Sequence, residues 1–172
     1  GKPACLHTST PKLLDDDKIM SSALEIERKF LVRGDAWREK ARGPVEIVQG
    51  YLARGRQAVI RVRIKDGSSA TLTIKSRERG ASRSEFEYRL PLKEAKALLE
   101  LCGQSRVQKQ RYRLTQGKLI WEIDVFSGTR EGLVLAEVEL TDPRQTVTLP
   151  QWVGEEVTDD SRYRNSALAN AK

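Results

Sequence analysis

Two carboxylates and one ammonium group alternate along a short stretch near the beginning of the chain. Single residues separate Glu25, Glu27 and Lys29, so all three side chains lie on one face if the stretch is a β-strand. Neighbouring groups on that face stand about 6.6 Å apart. At an effective dielectric constant of about 20, two carboxylates at that distance repel each other by about 2.5 kcal/mol. The pattern predicts that something neutralises Glu25 and Glu27.

A divalent cation held between the oxygens of Glu25 and Glu27 would remove this repulsion. Lys29 could then hold an anion that contacts the same cation, an arrangement suited to metal-assisted reactions. A solvated strand face is the simpler interpretation of this one motif taken alone. The charge pattern of the remaining chain has to decide between the two.

Alternating polar rows recur along most of the chain, and many carry charges of one sign. The rows are Arg61/Arg63/Lys65, Thr71/Thr73/Lys75, Glu85/Glu87/Arg89, Lys109/Arg111/Arg113, Glu122/Asp124 and Glu137/Glu139. A solvated face usually mixes acidic, basic and neutral residues along each strand, because like charges placed side by side destabilise a sheet. Sorting by sign is expected when a polyanion and its cations occupy the face.

Period-two alternation predicts that most of the chain is β-structure. The predicted strands after the opening one cover residues 45–53, 59–65, 70–75, 83–90, 107–114, 119–126 and 133–140. Asp66-Gly67 is a strong hairpin dipeptide between two of them, and Gln116-Gly117-Lys118 joins another pair. The spacing of apolar residues predicts a helix over 92–102, with Cys102 as core filler, and a short helix over 36–41. Residues 159–165 are expected to cap and begin a short terminal helix.

These elements predict an α+β fold of mostly antiparallel β-structure. If about eight strands close into a barrel, the charged faces line its lumen and the apolar faces lie outside, where a few flanking helices cover them. Basic walls would then hold a polyphosphate chain and acidic rows would hold metal ions. Charge-assisted hydrogen bonds from Arg and Lys to phosphoryl oxygens are stronger than neutral ones.

The chain of 172 residues has room for one domain. Residues 1–19 lack strand or helix periodicity and contain Asp15-Asp16-Asp17-Lys18, which resembles a protease site in an expression leader. We expect them to be a leader or tail, with Met20 as the native start and residues 20–172 as one domain. That domain contains no histidine and a single cysteine. An intrachain disulfide, a zinc site and a histidine base are therefore excluded from it.

The formal net charge of +7 favours anionic partners. No apolar run is long enough to span a bilayer, and no secretory signal begins the chain, so we expect a cytoplasmic protein without a membrane partner. A nucleic acid polymer is not expected as a partner, because the aromatic residues fall on the apolar phase of the strands rather than on the charged face. They are Phe86, Tyr88, Tyr112 and Trp121.

With these motifs in order, the chain resembles the CYTH superfamily, also called the triphosphate tunnel metalloenzymes. The resemblance covers essentially all of residues 22–169. Its motifs are Glu25-Ile26-Glu27-Arg28-Lys29-Phe30, Gln49-Gly50-Tyr51-Leu52, Arg61-Val62-Arg63, Lys75, Glu85-Phe86-Glu87, Lys109-Gln110-Arg111-Tyr112, Glu122-Ile123-Asp124, Glu137-Val138-Glu139, Gly154-Glu155-Glu156-Val157-Thr158 and Tyr163-Arg164-Asn165. The resemblance implies a closed eight-stranded antiparallel β-barrel, the tunnel.

The same resemblance implies the site residues. Mg²⁺ or Mn²⁺ would be bound by Glu25, Glu27, Asp124, Glu137 and Glu139. A triphosphate would be bound by Lys29, Arg61, Arg63, Lys75, Lys109 and Arg111. Lys29 would take part in catalysis, and either Asp124 or Glu85 could orient the attacking water. Arg162 and Tyr163 would either close the tunnel mouth or cap the terminal helix.

The first function expected from the resemblance is metal-dependent hydrolysis of tripolyphosphate, with weaker action on nucleoside triphosphates. A class IV-like adenylate cyclase that makes cyclic AMP from ATP is an alternative, although no residues clearly supply a base or ribose pocket. A non-catalytic polyphosphate-binding module is another, but a pure anion binder gains nothing from so many carboxylates unless metals neutralise them. An RNA-binding β-domain is a further alternative, which the apolar position of the aromatic residues disfavours. The sequence leaves the oligomeric state open, with a homodimer as one option.

Overall fold

The computed structural model describes residues 18–20, 26–76 and 84–170. Its strands are β1 (Lys18–Met20), β2 (Ile26–Val32), β3 (Arg42–Arg54), β4 (Ala58–Lys65), β5 (Ser69–Ser76), β6 (Glu85–Leu90), β7 (Arg106–Gln116), β8 (Leu119–Phe126), β9 (Val134–Leu140) and β10 (Val153–Glu156). The helices are α1 (Leu92–Leu101) and α2 (Asn165–Leu168), with short 3₁₀ turns at Ala36–Glu39, Gly128–Arg130 and Ser161–Tyr163.

The ten strands form one antiparallel sheet in the order β1-β6-β5-β4-β3-β7-β8-β9-β2-β10. The eight longer strands, β2 to β9, lie between the short β1 and β10. Side chains from β2 and from β4 to β9 face one cavity, so the sheet curls around a polar lumen. This confirms the predicted antiparallel barrel with few helices. Strand β1 spans the predicted leader boundary at Met20, and residues 1–17 lie outside the described part.

The predicted hairpin between β4 and β5 is confirmed at Asp66-Gly67. Lys65 pairs with Ser69 across the turn, and both turn residues have positive φ, 48° for Asp66 and 61° for Gly67. Glycine adopts this conformation without a steric cost, and aspartate tolerates it better than most residues. The turn residues therefore fix the register that places Arg61 and Arg63 on the inner face.

Helix α1 covers the outer face of β3, β4 and β5. Ala95, Leu99 and Cys102 from the helix region pack with Val62 and Ile64 of β4. The Cys102 thiol is buried and donates a hydrogen bond to the carbonyl oxygen of Leu98. Cys102 is therefore core filler, as the helical spacing predicts.

One predicted helix is shorter than expected, and the short terminal helix begins within the predicted stretch. The helix predicted over 36–41 is a 3₁₀ turn at Ala36–Glu39, although Trp37 is buried as its apolar position requires. The terminal helix is divided into the 3₁₀ turn Ser161–Tyr163 and α2. In the part of the chain that the structure describes, no helix combines the length and the apolar composition that a membrane span requires.

Gly50 allows β3 and α1 to approach closely, so Gly50→Ala should destabilise the protein. A Cβ at Gly50 would lie 2.6 Å from Cys102 Sγ and 2.8 Å from Cys102 Cβ. Overpacking of this kind costs about 1–3 kcal/mol, which chemical denaturation would measure. Gly55→Ala is the matched control, because its Cβ would meet only the Ala58 carbonyl at 3.4 Å. Equal stabilities of the two variants would contradict the close approach.

Candidate active site

A cavity of about 530 Å³ lies inside the curled sheet, and its walls are charged. Its cationic residues are Arg61, Arg63, Lys75, Arg111, Arg113 and Lys118. Its acidic residues are Glu27, Glu85, Glu87, Glu122, Glu137 and Glu139. Except for Lys118, which lies in the turn between β7 and β8, these side chains occupy alternate positions of their strands, so the period-two pattern brings them to one face. The rows recognised in the sequence therefore meet in one place.

The wall formed by β4 and β5 supplies three cations. Arg61 and Arg63 come from β4 and Lys75 from β5. The guanidinium of Arg61 donates to Thr73 Oγ1 at 2.9 Å, and Thr73 in turn donates to Glu87 Oε2 at 2.9 Å. Lys75 forms an ion pair of 2.9 Å with Glu85 on β6. The Nε–H of Arg61 is buried without an acceptor among the described residues, so this wall retains a free buried donor.

Strands β8, β9 and β2 form an acidic wall. Glu27 lies directly opposite Glu139, and Glu137 lies between Lys29 and Glu122 in the cross-strand register. Directly opposed side chains in an antiparallel pair have Cβ atoms about 4.5–5.5 Å apart, and like charges there are destabilising. The buried Lys29 ammonium relieves part of this repulsion, since its Nζ lies 2.9 Å from Glu137 Oε1 and 4.0 Å from Glu27 Oε1.

A buried network of ion pairs lies behind the acidic wall. Lys109 Nζ is 2.5 Å from Asp124 Oδ2 and also donates to Asn165 Oδ1 at 3.0 Å. Arg111 binds Asp124 with two hydrogen bonds of 2.7 Å and also contacts Glu122 and Glu137. Asp124 and Lys109 are each 1% exposed. Both oxygens of Asp124 therefore already accept hydrogen bonds from cations.

The pKa shifts of the cations differ according to their neighbours. Burial, together with Arg61 and Arg111, lowers the pKa of Arg63 to about 10. Burial also lowers the pKa of Lys109 to about 8, although Asp124 opposes this shift. For Lys29 the carboxylates of Glu137 and Glu27 outweigh burial and raise the pKa. Burial and neighbouring cations thus disfavour the positive charge of both Arg63 and Lys109, which favours an anion beside them.

The pKa values of the buried acids are held down by the same cations. Burial disfavours ionisation of Asp124, but Lys109 and Arg111 outweigh it, and the pKa lies well below its usual value. Glu137 is likewise penalised by burial, yet Lys29, Lys109 and Arg111 lower its pKa. Both groups are carboxylates at neutral pH. The wall therefore offers negatively charged oxygens, the ligands that Mg²⁺ prefers.

The structure brings most of the predicted site residues to the cavity. Those that line it are Glu27, Arg61, Arg63, Lys75, Glu85, Arg111, Glu137 and Glu139. Lys29, Lys109 and Asp124 lie behind its wall, in contact with lining residues. Glu25 lies outside the described residues. Glu85 is on the β6 side and pairs with Lys75, whereas Asp124 belongs to the network behind β8 and β9.

Several residues of the site are absent from the predicted set. They are Gln49, Thr73, Glu87, Glu122 and Asn165. The acidic rows contain Glu87 and Glu122, so their position on the inner face follows from the alternation. Thr73 is neutral and is recognisable because it alternates with Thr71 and Lys75, whereas Gln49 belongs to the Gln49-Gly50-Tyr51-Leu52 motif of the resemblance. Asn165 approaches Lys109 from the C-terminal segment, a contact that strand periodicity does not indicate.

The C-terminal segment closes one end of the cavity. Inward-facing positions at that end of the strands are apolar, and Tyr51, Phe126 and Leu135 pack there with Leu168 of α2. The carbonyl oxygen of Tyr163 accepts a hydrogen bond of 3.2 Å from Lys29 Nζ. Arg162, in contrast, is exposed and binds Asp160. Of the two roles considered for Arg162, this contact favours the local structural one.

The donor chemistry of the acidic wall fits a hard divalent cation. Glu27 and Glu139 oppose each other directly, and Glu122 opposes Glu137, so four carboxylates lie on neighbouring strands. Within the described ranges no three acidic groups already stand close enough to form a metal cluster. Lys29 and Arg111 separate them by binding Glu137. A metal cation that binds here would take over part of the neutralisation of Glu137 that Lys29 and Arg111 now provide.

Comparisons with known proteins agree with this geometry. The model of the CYTH domain family matches residues 23–170. An inorganic triphosphatase of Acetivibrio thermocellus is 43% identical over 145 residues, which cover 84% of this chain and 92% of the relative. An inorganic triphosphatase of Nitrosomonas europaea is 40% identical over 150 residues, covering 84% of this chain and 96% of the relative.

A solved structure gives the same result for the fold. The crystal structure of the inorganic triphosphatase NE1496 superposes with a TM-score of 0.66 at 34% sequence identity, and the match covers 87% of this chain and 97% of that chain. The curled antiparallel sheet, the sign-sorted cavity and the matched family model lead to one conclusion. The chain belongs to the CYTH domain family.

Proposed function

We propose that the protein hydrolyses inorganic tripolyphosphate to pyrophosphate and phosphate in its central cavity, with Mg²⁺ or Mn²⁺ as cofactor. Water attacks the terminal phosphorus, the bond between that phosphorus and the bridging oxygen breaks, and pyrophosphate leaves. The observation that carries the proposal is the cavity itself, which holds cations on the β4–β5 side and carboxylates on the β8–β9–β2 side. Two relatives that are 40–43% identical are named inorganic triphosphatases.

The β4–β5 wall is suited to bind the phosphate chain. Arg61 and Arg63 present guanidinium groups to the cavity, and Lys75 adds an ammonium group beside them. Arginine donates two parallel hydrogen bonds to a phosphate, which fixes its orientation as well as its position. A phosphoryl oxygen beside these groups would also relieve the unfavourable proximity of Arg61 to Arg63.

On the opposite wall, Lys29 and Arg111 are suited to exchange partners. Both bind Glu137, and Arg111 also binds Asp124. We propose that Lys29, Lys109 and Arg111 contribute cationic donors to the triphosphate, in competition with these carboxylates. Charge-assisted donors that are positioned before the reaction stabilise the charge that develops on the transferred phosphoryl group. Lys29, which is buried with its Nζ 2.9 Å from Glu137 Oε1, would reach that charge on releasing this carboxylate.

The proposed metal ligands are Glu25, Glu27, Asp124, Glu137 and Glu139. A bound Mg²⁺ or Mn²⁺ would lower the pKa of a coordinated water and neutralise the oxygens of the leaving group. Glu85 or Asp124 would orient the attacking water. Of these two, Glu85 faces the cavity directly, whereas Asp124 has both oxygens bound by Lys109 and Arg111.

Phosphate release from tripolyphosphate and from ATP should distinguish the candidate activities. We expect the purified protein to release phosphate from tripolyphosphate faster than from ATP in the presence of Mg²⁺ or Mn²⁺. EDTA should abolish turnover, and an excess of Mg²⁺ should restore it, because the opposed carboxylates need a cation between them. Chelator-resistant turnover would contradict the metal ligands proposed here.

Two further outcomes of the same experiment would contradict the main proposal. A wide preference for ATP, together with cyclic AMP detected by mass spectrometry, would favour the adenylate cyclase. Binding of tripolyphosphate without turnover of either substrate would favour a non-catalytic polyphosphate module. The cytoplasmic location, the homodimer and the domain boundary at residue 20 stay predictions.

A further inference from the structure

Gln49 is a neutral residue enclosed among the charged groups of the cavity. It lies on β3 directly opposite Arg63 of β4, and it is 0% exposed. Its Oε1 accepts a hydrogen bond of 2.9 Å from Arg63 Nε, and its Nε2 donates one of 3.2 Å to the hydroxyl oxygen of Tyr51. Gln49 therefore connects a cavity-lining cation to a buried phenol.

The orientation of the Gln49 amide is set by its partners. Arginine can only donate hydrogen bonds, so the amide oxygen has to face Arg63. The amide nitrogen then faces Tyr51, whose oxygen accepts. Both polar ends of Gln49 are used, so rotation of the side chain would break two buried hydrogen bonds. The anchor of Arg63 is consequently rigid.

Arg63 differs from Arg61 and Arg111 in how far nearby carboxylates neutralise its positive charge. Arg111 binds Asp124, Glu122 and Glu137, and Arg61 lies 3.7 Å from Glu87. The described residues form no ion pair with Arg63, and its one side-chain hydrogen bond there is to the neutral Gln49. An anchor without charge leaves the full positive charge of Arg63 facing the cavity.

We infer that Gln49 is a positioning residue: it fixes Arg63 so that the terminal NH₂ groups of its guanidinium, with their charge uncompensated, face a phosphate group of the substrate. This inference rests on the proposed function and deepens it. A glutamate at this position would hold the same geometry but neutralise the charge, and an apolar residue would leave the charge but release the geometry. Glutamine holds the geometry of Arg63 and also leaves its charge uncompensated.

Kinetic constants of Gln49→Leu and Gln49→Glu with tripolyphosphate and Mg²⁺ would test the inference. We expect KM to rise by about tenfold to a hundredfold in each variant, with a smaller change in kcat. The leucine variant loses one hydrogen bond to a charged group, and the glutamate variant neutralises the charge of Arg63. Gln110→Leu is the matched control. Gln110 faces away from the cavity on β7 and donates a hydrogen bond to Glu46 of β3, so this variant should keep the wild-type KM. Gln49→Glu preserves size and polarity, so its result stands even if the leucine variant folds poorly.

A double-mutant cycle with Arg63→Leu separates positioning from a general structural effect. If Gln49 acts through Arg63, then Gln49→Leu should raise KM little further in the Arg63→Leu background. Fully additive effects, or a wild-type KM in both Gln49 variants of an active enzyme, would overturn the inference and leave the proposed function intact. If the wild type shows no turnover, calorimetric binding of tripolyphosphate replaces KM, and equal affinities of wild type and Gln49→Glu would overturn it.

Discussion

Lys29→Ala should lower kcat for tripolyphosphate by about a hundredfold to a thousandfold, the usual loss when one preorganised donor to a transition state is removed. Lys29 Nζ is buried 2.9 Å from Glu137 and within 4.0 Å of Glu27, so its loss removes the central cation of the acidic wall. Steady-state phosphate release measures the effect. Glu137 keeps its contact with Arg111, and circular dichroism should therefore report a folded protein.

The control for Lys29→Ala is Lys93→Ala, which removes an exposed lysine from α1 on the outer surface of the sheet. It should leave turnover unchanged. Ligand-dependent stability provides a second comparison, since tripolyphosphate with Mg²⁺ should raise the melting temperature of the wild type. Lys29→Ala should lose most of that rise. An activity within about threefold of the wild type would argue against a catalytic role.

Asp124→Ala should lower the free energy of unfolding by about 3–5 kcal/mol, because it leaves two buried cations without their shared partner. Asp124 accepts from Lys109 at 2.5 Å and from Arg111 through both of its oxygens. It is 1% exposed, so water cannot replace the lost contacts without entering the wall. Urea denaturation of the metal-free protein measures the change.

Asp35→Ala is the matched control for Asp124→Ala. Asp35 also pairs with an arginine, Arg38, but its side chain is 80% exposed, and such pairs contribute little to stability. We expect its effect to stay below about 1 kcal/mol. If Asp124→Ala were equally mild, the buried network would not be a structural support of the cavity, and Asp124 would act only as a ligand.

The strands could be predicted because one face of each is charged and the other apolar. The prediction over 119–126 coincides with β8 (Leu119–Phe126), and that over 59–65 differs from β4 (Ala58–Lys65) by one residue. A sheet buried on one face imposes this alternation strictly, since a shift of one residue would invert every side chain. The Asp66-Gly67 turn further fixed the pairing of β4 with β5.

The order of the strands could not be predicted from alternation. Strand β3 pairs with β7, and β2 pairs with β9 and β10, which are contacts between distant parts of the chain. The short β10 carries no alternation long enough to recognise. The helix predicted over 36–41 was too long, because the burial of Trp37 requires only a single turn there.

The sequence indicated which residues face the cavity but not how deeply each one lies. Alternation places Lys29 and Lys109 on the inner phase, yet both are buried behind the lining residues. Depth depends on the C-terminal segment, whose Tyr163 and Asn165 cover these two lysines. The anchoring of Arg63 by Gln49 has the same origin, because a neutral residue gains its role only from the cross-strand register.

A crystal structure with tripolyphosphate and Mn²⁺ would show whether substrate and metal bind together in the cavity, since the anomalous scattering of manganese identifies the position of the metal. We expect manganese on Glu27, Glu137 and Glu139, and phosphate oxygens within hydrogen-bond distance of Arg61, Arg63 and Lys75. Manganese and tripolyphosphate bound on the outer surface of the sheet, with the cavity residues contacting neither, would contradict it.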